Sequence, residues 1–496
     1  MFIINNINKP SKSYDRANCH GFFYGLRRGI DLEDSVSTRV KLSILAVGLL
    51  SFTGILIETS MNVTFPTLTK ELNVSLGTVQ WLTTGYLLLT TIVMSTTAYV
   101  LKKFHPLKIF IFAAALCLIG SVVCFVAPNF SILMMGRLLQ AVATGLSTPL
   151  MFNLIFEEIP PTKLGLYTGL AGVVISLAPA LGPTYGGIVN RLWTWREIFV
   201  GVLPLILLLF IIGWFTIRGK AYGTKGISFD YLSVVGLIII FSTILFTFDQ
   251  AGKFGWLSSR FLLWVVISAI IVAAFAWYNQ KSQKQLIDFS ILKLPVLRLR
   301  LFSYFSLQFI NIGLSFVLPI FAQTALKLDS AQAGLMLLPG SLMGAVIGPI
   351  AGHLYDKKGA TFPLIISGIL LTGGTLLFWL QSEKLTLLSI TLIYIVVRLG
   401  FNFGFGPSLS DGSMQVQGRK KSDQNSLFSM IQQYAGSLGT NVLSVVISAT
   451  ALTSGTKNEV LNTVLGTKID FILLTVLSLC VLISVIYVYF RYEKEK

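Results

Sequence analysis

The sequence predicts an all-α membrane protein with about fourteen transmembrane helices. Hydrophobic residues make up 54% of its 496 residues and charged residues only 12%, whereas soluble domains carry about 25% charged residues. After residue 40, continuous apolar stretches of about twenty residues recur, the length that a helix needs to cross a bilayer. Because these stretches do not alternate polar with apolar residues, they exclude a transmembrane β-barrel.

The predicted spans follow one another closely along the chain. The polar residues 1–40 contain no apolar signal segment before a cleavage site, so we expect a disordered cytoplasmic tail there. An even number of spans places both termini on one side of the membrane. The fourteen segments are 42–66, 78–101, 106–127, 130–156, 164–189, 197–217, 229–249, 260–278, 301–325, 332–353, 362–381, 385–408, 425–452 and 469–490.

The basic residues predict the orientation. With the N-terminus inside, the inner segments hold 27 of the 38 lysine and arginine residues and the outer loops hold 9. This bias follows the positive-inside rule, so we expect cytoplasmic termini. The net charge of +17 therefore has an explanation that requires no nucleic acid.

Motifs for enzymatic chemistry are missing from the sequence. There is no Walker loop, which argues against an ATPase. The three histidines, His20, His105 and His353, do not have metal-ligand spacing, and the four cysteines indicate no disulfide framework. We expect a protein that is not an enzyme and that binds no metal and no cofactor.

Glu58 lies in the middle of the first apolar segment. A carboxylate at this depth costs about 2.5–3.5 kcal/mol on insertion scales, and intramembrane acids usually mark an ion or substrate pathway. Desolvation favours the protonated acid, so Glu58 is a candidate for taking up and releasing protons. The alternative is an acid that a basic partner holds ionised for structural reasons.

Arg137 lies in the fourth apolar segment. Arginine stays charged, so its guanidinium must face protein, water or an acid. Gln140 is three residues further on and shares its helical face. The alternative is an arginine that extends its charge to the nearby membrane interface.

Small and polar residues suggest helix interfaces and a cavity. Glycines four residues apart in the tenth segment form a smooth stripe, although membrane helices are rich in glycine in any case. Gln308, Asn311 and Asn402 either line a cavity or bond neighbouring helices. Asp249 fits an interfacial anchor, and Arg398 has no obvious acidic partner. The predicted interface residues are Pro179, Gly182, Pro183, Gly186 and Gly187 in the fifth segment, and Gly340, Gly344, Gly348 and Gly352 in the tenth.

Several of these motifs resemble the drug:proton antiporters of the major facilitator superfamily, in their fourteen-span branch. Residues 137–149 are similar to the fourth-helix signature of that family, and residues 182–187 (GPTYGG) to its antiporter motif. Residues 56–66 resemble its first-helix motif, which normally has aspartate where Glu58 stands. Residues 193–199 and 80–86 also look like this branch.

The resemblance implies a major facilitator fold of two six-helix bundles. They would comprise residues 41–220 and 281–490, with two additional helices in 221–280 and a cytoplasmic C-terminus in 491–496. It also implies alternating access driven by a proton gradient, with proton coupling at Glu58 and Arg137. The fifth helix would pack against the tenth, which would set Gly182 and Gly186 against the glycine stripe.

The family pattern also implies an acid in the inner loop after the second helix, but here Lys102 occupies the position of that acid and Ala98 that of a glycine. Asp356 keeps the pattern in the second half. We predict substrate contacts from polar residues in or beside the spans: Asn62, Tyr86, Gln140, Gln308, Asn311 and Asn402.

The resulting hypothesis is a monomeric multidrug exporter in a bacterial cytoplasmic membrane. It would exchange protons for amphipathic or cationic compounds. Two alternatives stay open at this point: an exporter of an endogenous metabolite, lipid or peptide, and a membrane receptor or scaffold that transports nothing.

Overall fold

The computed structural model describes residues 36–61, 64–74, 76–218, 230–282, 287–328, 330–418, 420–454 and 458–493. The chain divides into residues 1–38 and residues 39–496, and almost all of the first unit, including the predicted tail, lies outside the described residues. The described part contains helices and no strand. The α-helices are α1 (Thr38–Met61), α2 (Phe65–Glu71), α3 (Leu76–Lys103), α4 (Pro106–Phe125), α5 (Phe130–Glu158), α6 (Leu164–Leu192), α7 (Glu197–Gly201), α8 (Leu203–Thr216), α9 (Tyr231–Phe254), α10 (Ser259–Lys281), α11 (Pro295–Thr324), α12 (Ser330–Leu335), α13 (Leu338–Lys358), α14 (Thr361–Leu380), α15 (Leu387–Met414), α16 (Lys420–Thr453) and α17 (Glu459–Val488).

The all-helical prediction is confirmed, and thirteen of the described helical segments are long and apolar enough to cross a membrane. The predicted segment 78–101 is the one that does not count among them. It forms α3, which has 28 residues, and the apolar stretch Gly85–Thr97 lies among its described side chains. The fourteenth predicted segment is therefore a helix of the fold.

Proline positions explain where two predicted spans differ from the observed helices. The predicted span 197–217 is divided into α7 and α8, and Pro204 stands in the first turn of α8. The predicted span 332–353 becomes the short α12 followed by α13, with Pro339 in the first turn of α13. Proline is well accommodated in a first turn, because the N–H groups there have no helical partner. The sequence pattern merged elements that the backbone separates.

The helices pack in two groups that contact each other. α5 packs on α3 and α4, while α14 packs on α15 and α17, and α11 packs on α15, α16 and α17. The most extensive contacts between the groups are made by α6 on α13 and α15, and by α3 on α16. The predicted bundle boundaries themselves remain predictions.

The inserted pair α9 and α10 packs on the outside of this arrangement. α9 lies against α16 and α3, and the ring of Phe241 is 4.4 Å from that of Tyr434, centroid to centroid. Asn279 is the one described side chain of α10 that is buried. Asp249 pairs with Lys253 one turn later, at 2.7 Å, on an exposed surface.

The predicted partner of the fifth-segment glycines is wrong. The helices α6 and α13 do pack together, but a Cβ on Gly182 or Gly186 would clash with Thr59 and Ser60 of α1. The Ser60 hydroxyl also donates to the carbonyl of Gly182 at 2.9 Å. Gly182 and Gly186 project from a different side of α6 than Gly165 and Gly169, and that side faces α1.

The glycines that do meet the stripe lie earlier in α6. A Cβ on Gly348 would be 2.9 Å from the carbonyl oxygen of Gly169, and one on Gly352 would clash with the carbonyl of Gly165. The other half of the stripe faces α15: Gly340 meets Tyr394, and Gly344 meets Asn402. The stripe therefore serves two interfaces, and only its inner half lies against α6.

Candidate transport site

Three helices bring Glu58, Tyr86 and Arg137 together inside the first half of the chain. Glu58 is on α1, Tyr86 on α3 and Arg137 on α5. Arg137 and Tyr86 are 0% exposed and Glu58 is 8% exposed. Burial excludes the interpretation of Arg137 as a side chain that reaches the membrane interface.

Arg137 is held by part of its guanidinium only. Its Nη1 donates to Oε1 of Gln140 at 2.8 Å, and Nε2 of Gln140 donates to the hydroxyl of Ser121 at 3.0 Å. The guanidinium carbon lies 4.3 Å from the centroid of the Tyr86 ring, a distance at which a cation is attracted to the ring face. Nε and Nη2 of Arg137 have no hydrogen-bond partner among the described residues. Two donors are thus available for an acid.

Tyr86 connects the three helices. Its hydroxyl is 2.7 Å from the Thr144 hydroxyl on α5 and donates to the carbonyl of Gly54 on α1 at 3.2 Å. Gly54 has to be small, because a Cβ there would clash with Thr144. Tyr86 therefore positions both the arginine and the stretch of α1 one turn before Glu58.

No ion pair joins Glu58 to Arg137 among the described residues; Tyr86, whose ring lies against Arg137, donates to the α1 backbone one turn before Glu58. A buried carboxylate without a close cation is costly, and a protonated carboxyl is not. The two available donors of Arg137 are groups that stabilise a carboxylate when they reach it.

A second polar cluster lies in the other half of the chain, around Arg398 of α15. Its Nη1 donates to the side-chain oxygen of Asn311, and Nδ2 of Asn402 donates to the Arg398 carbonyl at 2.9 Å. All three side chains are buried. The sequence suggested no acidic partner for Arg398, and in the structure its guanidinium donates to the amide oxygen of Asn311.

The remaining predicted residues fall outside these two clusters. Gln308 is buried, and its Nε2 has no hydrogen-bond partner among the described residues. Pro179 and Gly187 lie on α6, where Gly187 is exposed. Asn62 lies outside the described residues, as does the side chain of Pro183.

The inner ends of the two halves are joined by charged and polar contacts. Nζ of Lys102 lies 2.6 Å from both carboxylate oxygens of Asp423, in the first turn of α16. The side chains of Lys102 and Asp423 are only 12% and 3% exposed. Nearby, the hydroxyls of Thr97 and Ser426 are 2.8 Å apart. Lys102, which departs from the family pattern, thus has an acid on the opposite half.

Asp356 makes the corresponding contact on the other side. Its two oxygens accept from the backbone N–H groups of Gly165, at 2.8 Å, and Leu166, at 3.0 Å. These amides begin α6, and the start of a helix favours a negative charge. Asp356, near the end of α13, therefore caps the start of α6 on the other half. In the first contact the positions are reversed: Lys102 stands near the end of α3, and its acid, Asp423, stands at the start of α16.

The sequence did not single out Asp423 or Thr144. Asp423 stood among basic residues at the start of a predicted span, where an acid suggests no more than a solvated loop. Thr144 gave no signal at all. A lysine in place of the expected acid was the one signal that pointed to a partner of opposite charge.

Comparison with known proteins now identifies the fold. A sequence model described as the Major Facilitator Superfamily matches residues 47–440. The MFS-type transporter YhcA of Bacillus subtilis is 33% identical over 414 residues, covering 82% of this chain and 76% of that protein. The lincomycin resistance protein LmrB of Listeria monocytogenes is 31% identical over 399 residues, covering 80% and 84%.

A solved structure shows the same fold. The proton:xylose symporter XylE matches 92% of this chain and 96% of its own with a TM-score of 0.63, at 12% sequence identity. The likeness at this identity concerns the fold alone. Together with the family match, it shows that this chain belongs to the Major Facilitator Superfamily and is a membrane transporter rather than an enzyme.

Proposed function

We propose that this transporter exports amphipathic or cationic compounds in exchange for protons. The observation that carries the proposal is Glu58, a buried acid in a membrane span, which Tyr86 connects to the buried Arg137 without a direct ion pair among the described residues. Two donors of Arg137 are available, so the arginine can stabilise the carboxylate once its proton has left.

The proposed cycle alternates the protonation of Glu58. In the outward-facing conformation Glu58 takes up a proton, which weakens the binding of a cationic substrate and releases it. In the inward-facing conformation Glu58 loses the proton and a new substrate binds. This scheme requires that the proton and the substrate each have different affinities in the two conformations, and a carboxylate whose distance to Arg137 changes meets that requirement.

The contacts at the inner end support an alternating mechanism. The Lys102–Asp423 pair and the Asp356 cap join the two halves on the side that carries the basic loops. In this arrangement the inner ends are held together, and they have to part for substrate to enter from the cytoplasm. No single one of these contacts is a covalent link, so the ends can separate.

The substrate class and the membrane setting belong to the same proposal. The relative named lincomycin resistance protein, together with the antiporter motif at 182–187, favours drug-like amphipathic compounds. We further propose a monomer in a bacterial cytoplasmic membrane with both termini inside, powered by the proton gradient and without a cofactor. The predicted bundles and the inserted helix pair give the domain arrangement.

Transport in vesicles tests the proposal. The purified protein would be reconstituted with a pH gradient, and the movement of lincomycin and of a cationic dye would be followed before and after the gradient is collapsed by an ionophore. We expect accumulation that depends on the gradient. Movement of neither probe under any gradient would reject drug export and favour an endogenous substrate, and unchanged accumulation after collapse would reject proton coupling.

A further inference from the structure

A second membrane-embedded acid, Asp470, lies in α17. It is 0% exposed, and neither of its carboxylate oxygens has a hydrogen-bond partner among the described residues. The hydroxyl of Thr467, one turn earlier on the same helix, is also buried without a partner in the described part of the chain. Polar atoms buried in this way are rare in native proteins and call for an explanation.

The helices around Asp470 can be aligned from their contacts. α17 packs against α14, α11 and α16. The ring of Phe471 stacks on that of Phe378 of α14, with centroids 5.0 Å apart. A Cβ on Gly466 would be 2.7 Å from Ile447 of α16, and the hydroxyls of Ser303 and Ser484 are 3.3 Å apart, which aligns α11.

This alignment places no cation beside Asp470 in the described residues. α14 has no titratable residue. On α16, Tyr434 is the nearest, about nine residues or 13 Å along the helix, and Asp423 is further away and pairs with Lys102. On α11, Arg300 lies near the level of Ser484, about 20 Å away, and pairs with Asp411 at 2.6 Å. Apart from Lys468, the other described titratable side chains of these helices and of residues 489–493 lie towards the inner end: Arg298, Tyr304, Lys420, Lys421, Cys480, Tyr487, Tyr489, Arg491 and Tyr492.

A cavity lies at the outer end of α17, but two residues correspond to about 200° around a helix, so Lys468 and Asp470 project from opposite sides of α17. Lys468 is two residues before Asp470, a rise of about 3 Å, and pairs with Glu383 at 2.6 Å. Both line a cavity of about 410 Å³ together with Trp379, Leu380, Ser382 and Lys384. This end of α17 is the one that the charge distribution predicts to be outside.

We propose that Asp470 is a proton-binding site of the second half of the chain, separate from Glu58, and that Asp470 is protonated in this conformation. An ionised carboxylate with no cation and no donor would be strongly disfavoured there, whereas a carboxylic acid is tolerated. The site does not depend on drug export or on coupling at Glu58. It predicts that the protein binds one more proton than Glu58 alone accounts for.

Infrared spectroscopy of the reconstituted protein tests the site. Carboxylic acids have a C=O stretching band that carboxylates lack. In a Glu58→Gln chain we expect such a band at neutral pH, which Asp470→Asn removes and Asp470→Glu shifts. Absence of the band in the parent chain, or a band unaffected by both substitutions, would overturn the proposal.

Transfer of the same chain to heavy water gives a second readout once exchange is complete. The band should then shift, as a carboxylic O–H requires, and Asp470→Asn should remove the shifted band. A shifted band that persists in Asp470→Asn would contradict the assignment to Asp470. All these measurements start from a chain without Glu58, so they stand apart from the outcome of the export assay.

Discussion

Removing Lys102 should open the inner end of the transporter. In Lys102→Met, Asp423 stays 3% exposed and loses the cation that lies 2.6 Å from both of its oxygens. Leaving one member of a buried ion pair without its partner costs about 3–5 kcal/mol. Asp423 still accepts from the backbone N–H of Asp288 at 3.3 Å, and it still lies in a first helical turn, where a negative charge is favoured. We therefore expect a smaller cost, of about 2–3 kcal/mol.

This cost is borne only while the halves are in contact, so it shifts the conformational equilibrium. A change of about 2–3 kcal/mol multiplies the ratio of open to closed inner ends roughly 30- to 150-fold. Thr97 is buried at this contact, and a Thr97→Cys thiol should react with a maleimide only when the ends part. In a chain whose natural cysteines are replaced by serine, Lys102→Met should raise the alkylation rate by that factor.

The neighbouring lysine provides the control. Lys103 donates to the hydroxyl of Tyr99 on its own helix, at 2.7 Å, so Lys103→Met removes the same charge without touching the contact between the halves. The exchanged pair, Lys102→Asp with Asp423→Lys, should return the rate to within about fivefold of the parent, since a lysine in a first turn costs up to about 1 kcal/mol. An unchanged rate in Lys102→Met, or an equal increase in Lys103→Met, would refute this reasoning.

Two further predictions use the same protein. Gly352→Ala should also raise the alkylation rate at Thr97→Cys, by at least tenfold, because its Cβ would clash with the carbonyl of Gly165; Gly187→Ala, with no atom within 4 Å of its Cβ, should not, and equal rates would contradict the assigned interface. Tyr86→Phe keeps the ring beside the arginine but loses two hydrogen bonds, so thermal unfolding should show a loss of about 1–3 kcal/mol while transport continues. Complete loss of transport in that variant would show that the hydroxyl does more than position α1 and α5.

A pH prediction concerns the outer surface. The hydrogen bond and charge of Lys468 hold the pKa of the exposed Glu383 below its usual value. A lowered pKa means that the pair contributes at neutral pH and is lost as the pH falls through the pKa of Glu383 in the folded protein. Nuclear magnetic resonance titration of Glu383 should show its pKa rise in Lys468→Met, and an unchanged value would contradict the pairing.

The sequence predicted the helical architecture well, because membrane spans depend on properties that add along the chain. Apolar length and the positions of lysine and arginine are local counts, so the spans follow from them. Glu58 and Arg137 stood out for the same reason, as charges inside apolar runs. The sequence did not predict which side chains surround them, because Tyr86 and Thr144 meet only when α3 and α5 pack.

Contacts between distant helices were predicted less well. The expected match of Gly182 with the glycine stripe assumed that this side of α6 faces α13, whereas Gly182 and Gly186 face α1. Asp470 gave the same signal as Glu58, an acid within an apolar helix, but it stood next to Lys468 at the predicted boundary of a span. Only the packing shows that the two side chains face different surroundings.

Glu58 provides the most direct test of proton-coupled export. Efflux of a substrate would be measured in vesicles with and without a pH gradient for the parent chain, Glu58→Gln and Glu58→Asp. We expect all three to fold and insert, Glu58→Gln to lose the response to the gradient, and Glu58→Asp, which carries the acid usual in the family, to keep most of it. Efflux in Glu58→Gln that responds to the gradient as the parent does would contradict the account.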